Sequence, residues 1–475
     1  MKKKWKMSII LMALVVPLLT GAILVALYAM SGTTSTEEVP QKDFTMFSAY
    51  TEVGTFQNIP YMETEGSITA PENYGNNSGY IVNVSGSTVE EYKEYLNTLE
   101  ASGFIKHSDN GEDAMEGNIM TASYMKDDIT LTVSHAIHQD HTYISAAVDL
   151  PLSDYLIYKD EYVEGISEDA ETKIHMMELY NIGNCFIIQL KNGHFIIEDG
   201  GAKQDAQYLI EYLEALVPEG EKPVIEAWFV SHPHSDHCGA LAAIGANAQW
   251  AKRIYVEGFY FYDMSDTMLT FLKLQPGMAD TRNVRLYHKA FKTTSGDIPN
   301  LYRPQLGQRY YFCDIQIDVA LTIEQCAKET LENNDLNDSS LWLMHHIEGQ
   351  RFLCAGDSNA SSQNNAIWLY DKSYFEMEIF ATPHHAINMY DEFADVLNVQ
   401  TMLYTCFRPG SVWQDGTWKE ALAVNERMRN QVAEYVHWGD GTIILTFPYS
   451  LGEYEQLEAC KWQYHDGYHG RKGWD

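Results

Sequence analysis

The stretch that decides the fold is residues 226–241, EAWFVSHPHSDHCGAL. Residues 227–230 are an apolar run of strand length, and Gly239 with the small apolar residues 240–246 reads as a helix. Between them His232, His234, Asp236 and His237 form the pattern H-x-H-x-D-H. Neutral imidazole and carboxylate are donors that zinc, manganese and iron accept. Positions 232 and 234 alternate along extended chain and can point the same way, while 236 and 237 fall beyond the bend. One short loop can therefore serve two metals. The competing reading is a polar surface loop, but four ligand-type residues directly after a buried strand argue against it.

Working outward, residues 337–357, NDSSLWLMHHIEGQRFLCAGD, read as a strand, a turn at Glu348-Gly349-Gln350, and a second strand ending at Gly356-Asp357. An aspartate at the end of a buried strand suits a carboxylate shared by two metals. Capping the next helix is its other use. His345 and His346 precede the turn and are expected to be exposed. Residues 373–382 lead into Pro383-His384-His385, again strand then ligand loop. Upstream, 185–190 and 194–198 flank Lys191-Asn192-Gly193, a hairpin signal, and the second strand ends at Asp199-Gly200-Gly201. Residues 205–216 form an amphipathic helix, and 310–321 alternate like one longer strand.

Composition narrows the function classes. The formal net charge is −34, and outside Lys2, Lys3, Lys4 and Lys6 the chain carries 28 basic against 66 acidic residues. A surface so acidic repels polyanions, which counts against a general nucleic-acid binder. Seven cysteines form no C-x-x-C pair, so no dense disulfide framework is implied. No Rossmann or P-loop glycine motif suggests a nucleotide cofactor.

The N-terminus divides into parts. Residues 1–6 are a basic tail, expected to be cytoplasmic, and 7–30 contain no charge. As a helix, 7–30 would span roughly 36 Å, enough for a bilayer core. A cleaved signal peptide would have a shorter apolar region and a small-residue cleavage site near residue 30, so an uncleaved single-pass transmembrane anchor is expected, with the remainder extracellular. Residues 31–43 read as a linker. Residues 44–152 look like a small α+β domain: a strand at 80–84, a helix at 88–102 with Tyr92, Tyr95, Leu96 and Leu99 on one face, and paired strands at 129–136 and 142–148. Its role is taken as interaction or spacing, with its protein partner unidentified. His135, His138 and His141 do not share a face on a strand and turn, so metal binding is not expected there. Residues 153–171 are an acidic connector, and 172–475 form the second domain.

Taken together, HPHSDH at 232–237, the NDSSLWL and FLCAGD segments of 337–357, and TPHHAIN at 382–388 resemble the metallo-β-lactamase superfamily. Within it they resemble the hydrolase domain of ComEC-type DNA-uptake proteins. The resemblance spans residues 172–475 and implies an α/β fold, an αββα sandwich with metals at one edge of its two sheets. It implies two divalent metal ions, zinc or manganese. His232, His234 and Asp357 would hold one, and His288 is the candidate for a further histidine there. Asp236, His237 and His384 would hold the second, with Asp357 shared. Asp199 would orient the metal loop without binding metal. A water bridging the metals would be deprotonated near neutral pH and attack carbon or phosphorus. Asp236 would also accept a proton, and His385 would contact substrate or protonate the leaving group, although the sequence leaves open which of His384 and His385 is the ligand. The chain departs from these relatives at Ala386-Ile387-Asn388, where they carry Gly-Ser. The expectation is a membrane-anchored, extracellular, metal-dependent hydrolase of small or cell-wall phosphodiesters. The alternatives are an ester or lactone hydrolase with the same metals, and an inactive surface binding protein on a hydrolase fold.

Overall fold

The computed structural model describes residues 59–72, 79–112, 114–148, 151–152, 170–180, 182–261, 287–326, 330, 335–405 and 419–458. The tail at 1–6, the anchor expected at 7–30, the linker at 31–43, nearly all of the connector, Cys406 and Cys460 lie outside them. Among the described residues no helix is long and apolar enough to cross a membrane. All the described residues fall within one compact unit, Thr45–Asp475.

Three sheets organise the chain. A small sheet runs β1-β2-β6-β5-β4-β3, where β1 is Ser67–Ile68, β2 Tyr80–Ser85, β3 Ile105–Asp109, β4 Ile119–Lys126, β5 Ile129–Ala136 and β6 His141–Val148. Helix α1, Val89–Ala101, starts in a capping box: Glu91 N–H donates to Thr88 Oγ1, and Thr88 N–H donates to the Glu91 carboxylate. Its Tyr92, Tyr95, Leu96 and Leu99 recur at helical spacing and pack on Val82, Leu131, Val133 and Ile144 of this sheet. The opposite face, with Ile81, Ile119, Ala136 and Tyr143, joins a core that includes Leu306 and Ala320. Thr121 and Ser134 hydroxyls both donate to the Leu306 carbonyl, at 3.0 and 2.7 Å. Gly307 beside it has φ +79°, and a Cβ there would stand 2.0 Å from Thr121 Oγ1. The approach of the small sheet therefore requires glycine at that position.

The remaining strands build a sandwich. One sheet contains β7 (Lys173–Met176), β8 (Cys185–Gln189), β9 (Phe195–Asp199), β10 (Val224–Phe229), β11 (Tyr255–Val256), β12 (Gly258–Tyr260), β13 (Asn300–Tyr302), β21 (Ile443–Thr446) and β22 (Glu455–Gln456). The other runs in chain order from β14 (Arg309–Phe312) and β15 (Ile315–Leu321) through β16 (Trp342–Ile347), β17 (Gln350–Cys354), β18 (Glu376–Ala381) and β19 (Asn398–Tyr404) to β20 (Glu434–His437). Strand alternation divides the second sheet between two cores. Phe352, Cys354, Ile379, Ala381 and Leu403 face the first sheet, and Phe186 of β8 meets Phe352 with ring centroids 5.3 Å apart. Leu353, Phe380 and Met402 face outward onto α4 (Ala360–Leu369) and α5 (Lys419–Gln431). Helices α2 (Ala206–Ala215) and α3 (Ser235–Ala246) cover the first sheet through Leu209, Leu213, Leu241 and Ile244. The layers are thus α, β, β, α, the mixed arrangement expected. All six residues of β10 are buried, as a parallel strand covered on both faces requires.

Two local expectations are corrected. Residues 310–321 form a hairpin, β14 and β15, because Cys313 takes φ +50° and turns the chain. His345 is fully buried, because on β16 it shares a face with Leu343 and Ile347 toward the first sheet. Its Nε2 meets the Glu198 carboxylate of β9, and its ring stacks on Phe352.

Candidate metal centre

Parallel pairing positions the site. Strands β9 and β10 are parallel neighbours in one sheet, and β17 and β18 in the other. Their C-terminal ends deliver Asp199, the 231–237 loop, Asp357 and the 383–386 loop to one edge, where parallel strands commonly present their ligands.

Two groups of ligand atoms gather there, each within 4.8 Å: His232, His234 and Asp357, and Asp236, His237, Asp357 and His385. Asp357 belongs to both. Its Oδ1 is 3.0 Å from His237 Nε2, and its Oδ2 is 3.2 Å from His385 Nε2 and 3.9 Å from His232 Nε2. Asp236 Oδ2 lies 3.4 Å from His385 Nε2. His232 and His234 meet at 2.9 Å, Nε2 to Nδ1.

Asp199 stands behind the centre, 1% exposed. Its Oδ2 accepts from His237 Nδ1 at 2.7 Å, Ser231 Oγ at 2.8 Å and Asn184 Nδ2 at 2.8 Å, and its Oδ1 accepts from Ser231 N–H at 2.7 Å. Trp228 Nε1–H donates to its carbonyl at 2.6 Å, holding a backbone with φ +60°. A carboxylate on Nδ1 turns His237 Nε2 toward the metal position, the usual support of a ligating histidine. Gly356, φ +53°, lies where a Cβ would meet Ser340 Oγ at 2.8 Å and Ser231 Cβ at 3.0 Å. Ser340 Oγ in turn accepts from Asp357 N–H at 3.0 Å. Sequence reading did not single out Ser231, Ser340 or Asn184. Ser231 was signalled by adjacency to HPHSDH and Ser340 by its place in NDSS, whereas Asn184, just before β8, carried no such signal.

The 383–386 loop places the two paired histidines differently. His384, His385 and Ala386 all take positive φ, at +49°, +52° and +62°. Few non-glycine residues adopt that region, and Ala386 occupies it where the resembled relatives carry glycine. The left-handed run turns His385 into the group with Asp236, His237 and Asp357, and leaves His384 Nε2 3.8 Å from Asp357. Of the two histidines, His385 and not His384 joins the group with Asp236, His237 and Asp357. His288 joins neither group; it sits on its short helix beside Phe259, ring centroids 6.4 Å apart.

The donor set fits divalent cations. His237 Nε2, Asp357 Oδ1 and His385 Nε2 are buried and satisfy no hydrogen bond. Burial opposes charge on His237, but Asp357 and Asp199 hold its pKa well above the ordinary value. His385, likewise buried but facing Asp357 and Asp236, is held up at about 9. Burial raises Asp357, yet the imidazoles of His237, His385 and His384 bring it well below the carboxylate range. Burial and the neighbouring imidazoles keep His232 far below its usual value, so it is neutral and ready to ligate. Carboxylates that stabilise imidazolium at this point equally favour a cation that displaces those protons. A cavity of about 640 Å³ opens beside Asp236, bordered by Ser235, Lys203, Gln204, Tyr180 and Tyr287.

Residues 180–300 match the model of the metallo-beta-lactamase superfamily. No curated protein matches the chain. Among solved structures it is similar to Tm1679, a metal-dependent hydrolase of the β-lactamase superfamily, with TM-score 0.31, 12% identity, and coverage of 56% of this chain and 95% of that one. A HARLDQ-motif metallo-β-lactamase from Cronobacter sakazakii gives TM-score 0.26, 13% identity, and coverage of 53% and 90%. Zn(2+)-bound PqqB from Methylobacterium extorquens gives 0.30, 11%, and coverage of 54% and 85%. The family match over residues 180–300 is to the superfamily and not to a ComEC-type branch. The superfamily match over the stretch that carries β10 and the His232–His237 loop supports a metal-dependent hydrolase of the metallo-β-lactamase superfamily.

Proposed function

We propose that this chain is a membrane-anchored, extracellular hydrolase of small or cell-wall phosphodiesters that uses two divalent metals. The observation that carries the two-metal reading is Asp357, the one carboxylate common to both ligand groups. His232, His234 and Asp357 would hold one ion, and Asp236, His237, Asp357 and His385 the other. When bound, such a pair supplies the Lewis acidity that makes water a nucleophile at neutral pH and steadies charge on the scissile group. Asp199 keeps His237 in the ligating tautomer. Burial works against ionisation of Asp236, but His385 and His237 pull its pKa down to about 2, so its carboxylate is available to accept a proton. The cavity beside Asp236 has the size of a small-molecule site. The charge of −34 favours a small substrate over long nucleic acid. Phosphodiester preference rests on the resemblance of the three motifs, and anchoring on the uncharged residues 7–30 behind a basic tail.

The test is metal content and turnover on one preparation of the full chain, purified without chelator. About two metals per chain are expected, with hydrolysis of bis-p-nitrophenyl phosphate that Asp236→Ala and His237→Ala abolish. Turnover of p-nitrophenyl acetate alone would replace phosphodiester by ester chemistry. Absence of metal after zinc or manganese is supplied would refute the enzyme reading.

A further inference from the structure

The His384 side chain is tied to a chain of amides that neither ligand group uses. Asp335 accepts from Asn359 Nδ2, and Asn359 Oδ1 accepts from Asn388 Nδ2. Asn388 Nδ2 then stands 2.8 Å from His384 Nδ1. A carboxylate accepts and does not donate, so Asp335 fixes the Asn359 amide with its oxygen turned toward Asn388 and His384. That oxygen fixes Asn388 with its nitrogen inward. Asn388 has two N–H groups, one for Asn359 and one for His384 Nδ1. A ring nitrogen that accepts carries no proton, so the imidazole proton sits on Nε2. The other tautomer would use the longer contact, 3.2 Å from His384 Nδ1 to Asn359 Oδ1.

His384 Nε2 faces the centre, 3.8 Å from Asp357 Oδ2 and 3.5 Å from Asn337 Nδ2. Asn337 Oδ1 is buried without a hydrogen-bond partner. Half a turn of that amide lets its oxygen take the Nε2 proton when no substrate oxygen is there to accept it. A protonated Nε2 cannot ligate a metal, but it donates well to an oxygen on which negative charge develops.

We propose that His384 is a hydrogen-bond donor to the scissile phosphoryl or acyl oxygen, held in its Nε2–H form by Asn388, Asn359 and Asp335. This rests on the hydrolase reading above. Asn388, Asn359 and Asp335 are positioning residues.

Histidine-labelled full chain gives a test that does not depend on turnover. Nitrogen NMR of the metal-free protein, with the His384 signal assigned by its loss in His384→Gln, should show an unprotonated Nδ1 and a protonated Nε2. Asn388→Asp should reverse that pattern, because a carboxylate accepts from Nδ1–H. In the metal-loaded enzyme, His384→Ala should keep its metal while kcat falls on the order of 100-fold. His384→Gln, which restores an N–H, should recover part of the loss, whereas His385→Ala should lose metal. An Nδ1–H form of His384 in an active enzyme, or metal lost from His384→Ala, overturns this proposal alone. A wild-type chain that takes up no metal overturns the functional reading and the substrate role of His384 with it, while the tautomer result stands on its own.

Discussion

Asp199→Asn isolates the support of the centre from its ligands. The substitution preserves shape and removes acceptor capacity. Asp199 accepts four hydrogen bonds, three on Oδ2 and one on Oδ1. An amide has one accepting oxygen. In the better orientation that oxygen serves His237, Ser231 Oγ and Asn184, and the amide N–H₂ faces Ser231 N–H. Ser231 N–H then faces amide hydrogens that have no acceptor either, which costs at least about 1–3 kcal/mol of stability. His237 also loses a charged partner on Nδ1, and loss of such support lowers metal affinity roughly 10–100-fold. Zinc affinity measured by competition with a chelating dye, beside urea unfolding of the metal-free chain, reads both effects. Zinc affinity within twofold of wild type in a folded Asp199→Asn protein would refute the orienting role. Loss of stability with unchanged affinity would reduce Asp199 to a structural residue.

Asp357→Asn should empty both sites, whereas His234→Ala should remove about one metal and leave the other; metal per chain by atomic emission separates the two. His175 is buried and paired with Tyr212, and burial holds its pKa down to about 4 from 6.5. The unfolded chain then binds more protons between those values, so stability present above about pH 6.5 is lost toward pH 4, by about 3 kcal/mol. His175→Phe should flatten that slope in urea titrations at pH 7 and 5, and an unchanged slope would show that His175 does not cause it. Gly307→Ala drives a Cβ against Thr121 at a positive-φ position, so it should destabilise the chain by about 2–4 kcal/mol; an unaltered urea midpoint would show that the small sheet does not pack there.

The sequence alone determined the parts whose chemistry is local. HPHSDH follows a fully buried strand, and its four ligand residues meet at the strand end because three residues of extended chain and the first turn of α3 bring them together. Asp357 was legible because a strand, a tight turn and a second strand fix where the carboxylate emerges. The hairpin of β8 and β9 and the amphipathic α1 followed from turn chemistry and periodicity. Tertiary structure decided what depends on partners distant in the chain. His345 faces inward because the sheet that carries β9 lies over β16, which no local pattern reveals. The different placements of His384 and His385 follow from three successive left-handed residues, a conformation held by bonds such as Asn425 Nδ2 to the Ala386 carbonyl at 2.6 Å. Adjacent histidines have the same chemistry in sequence. Only the fold turns one toward Asp236 and Asp357 and ties the other to Asn388.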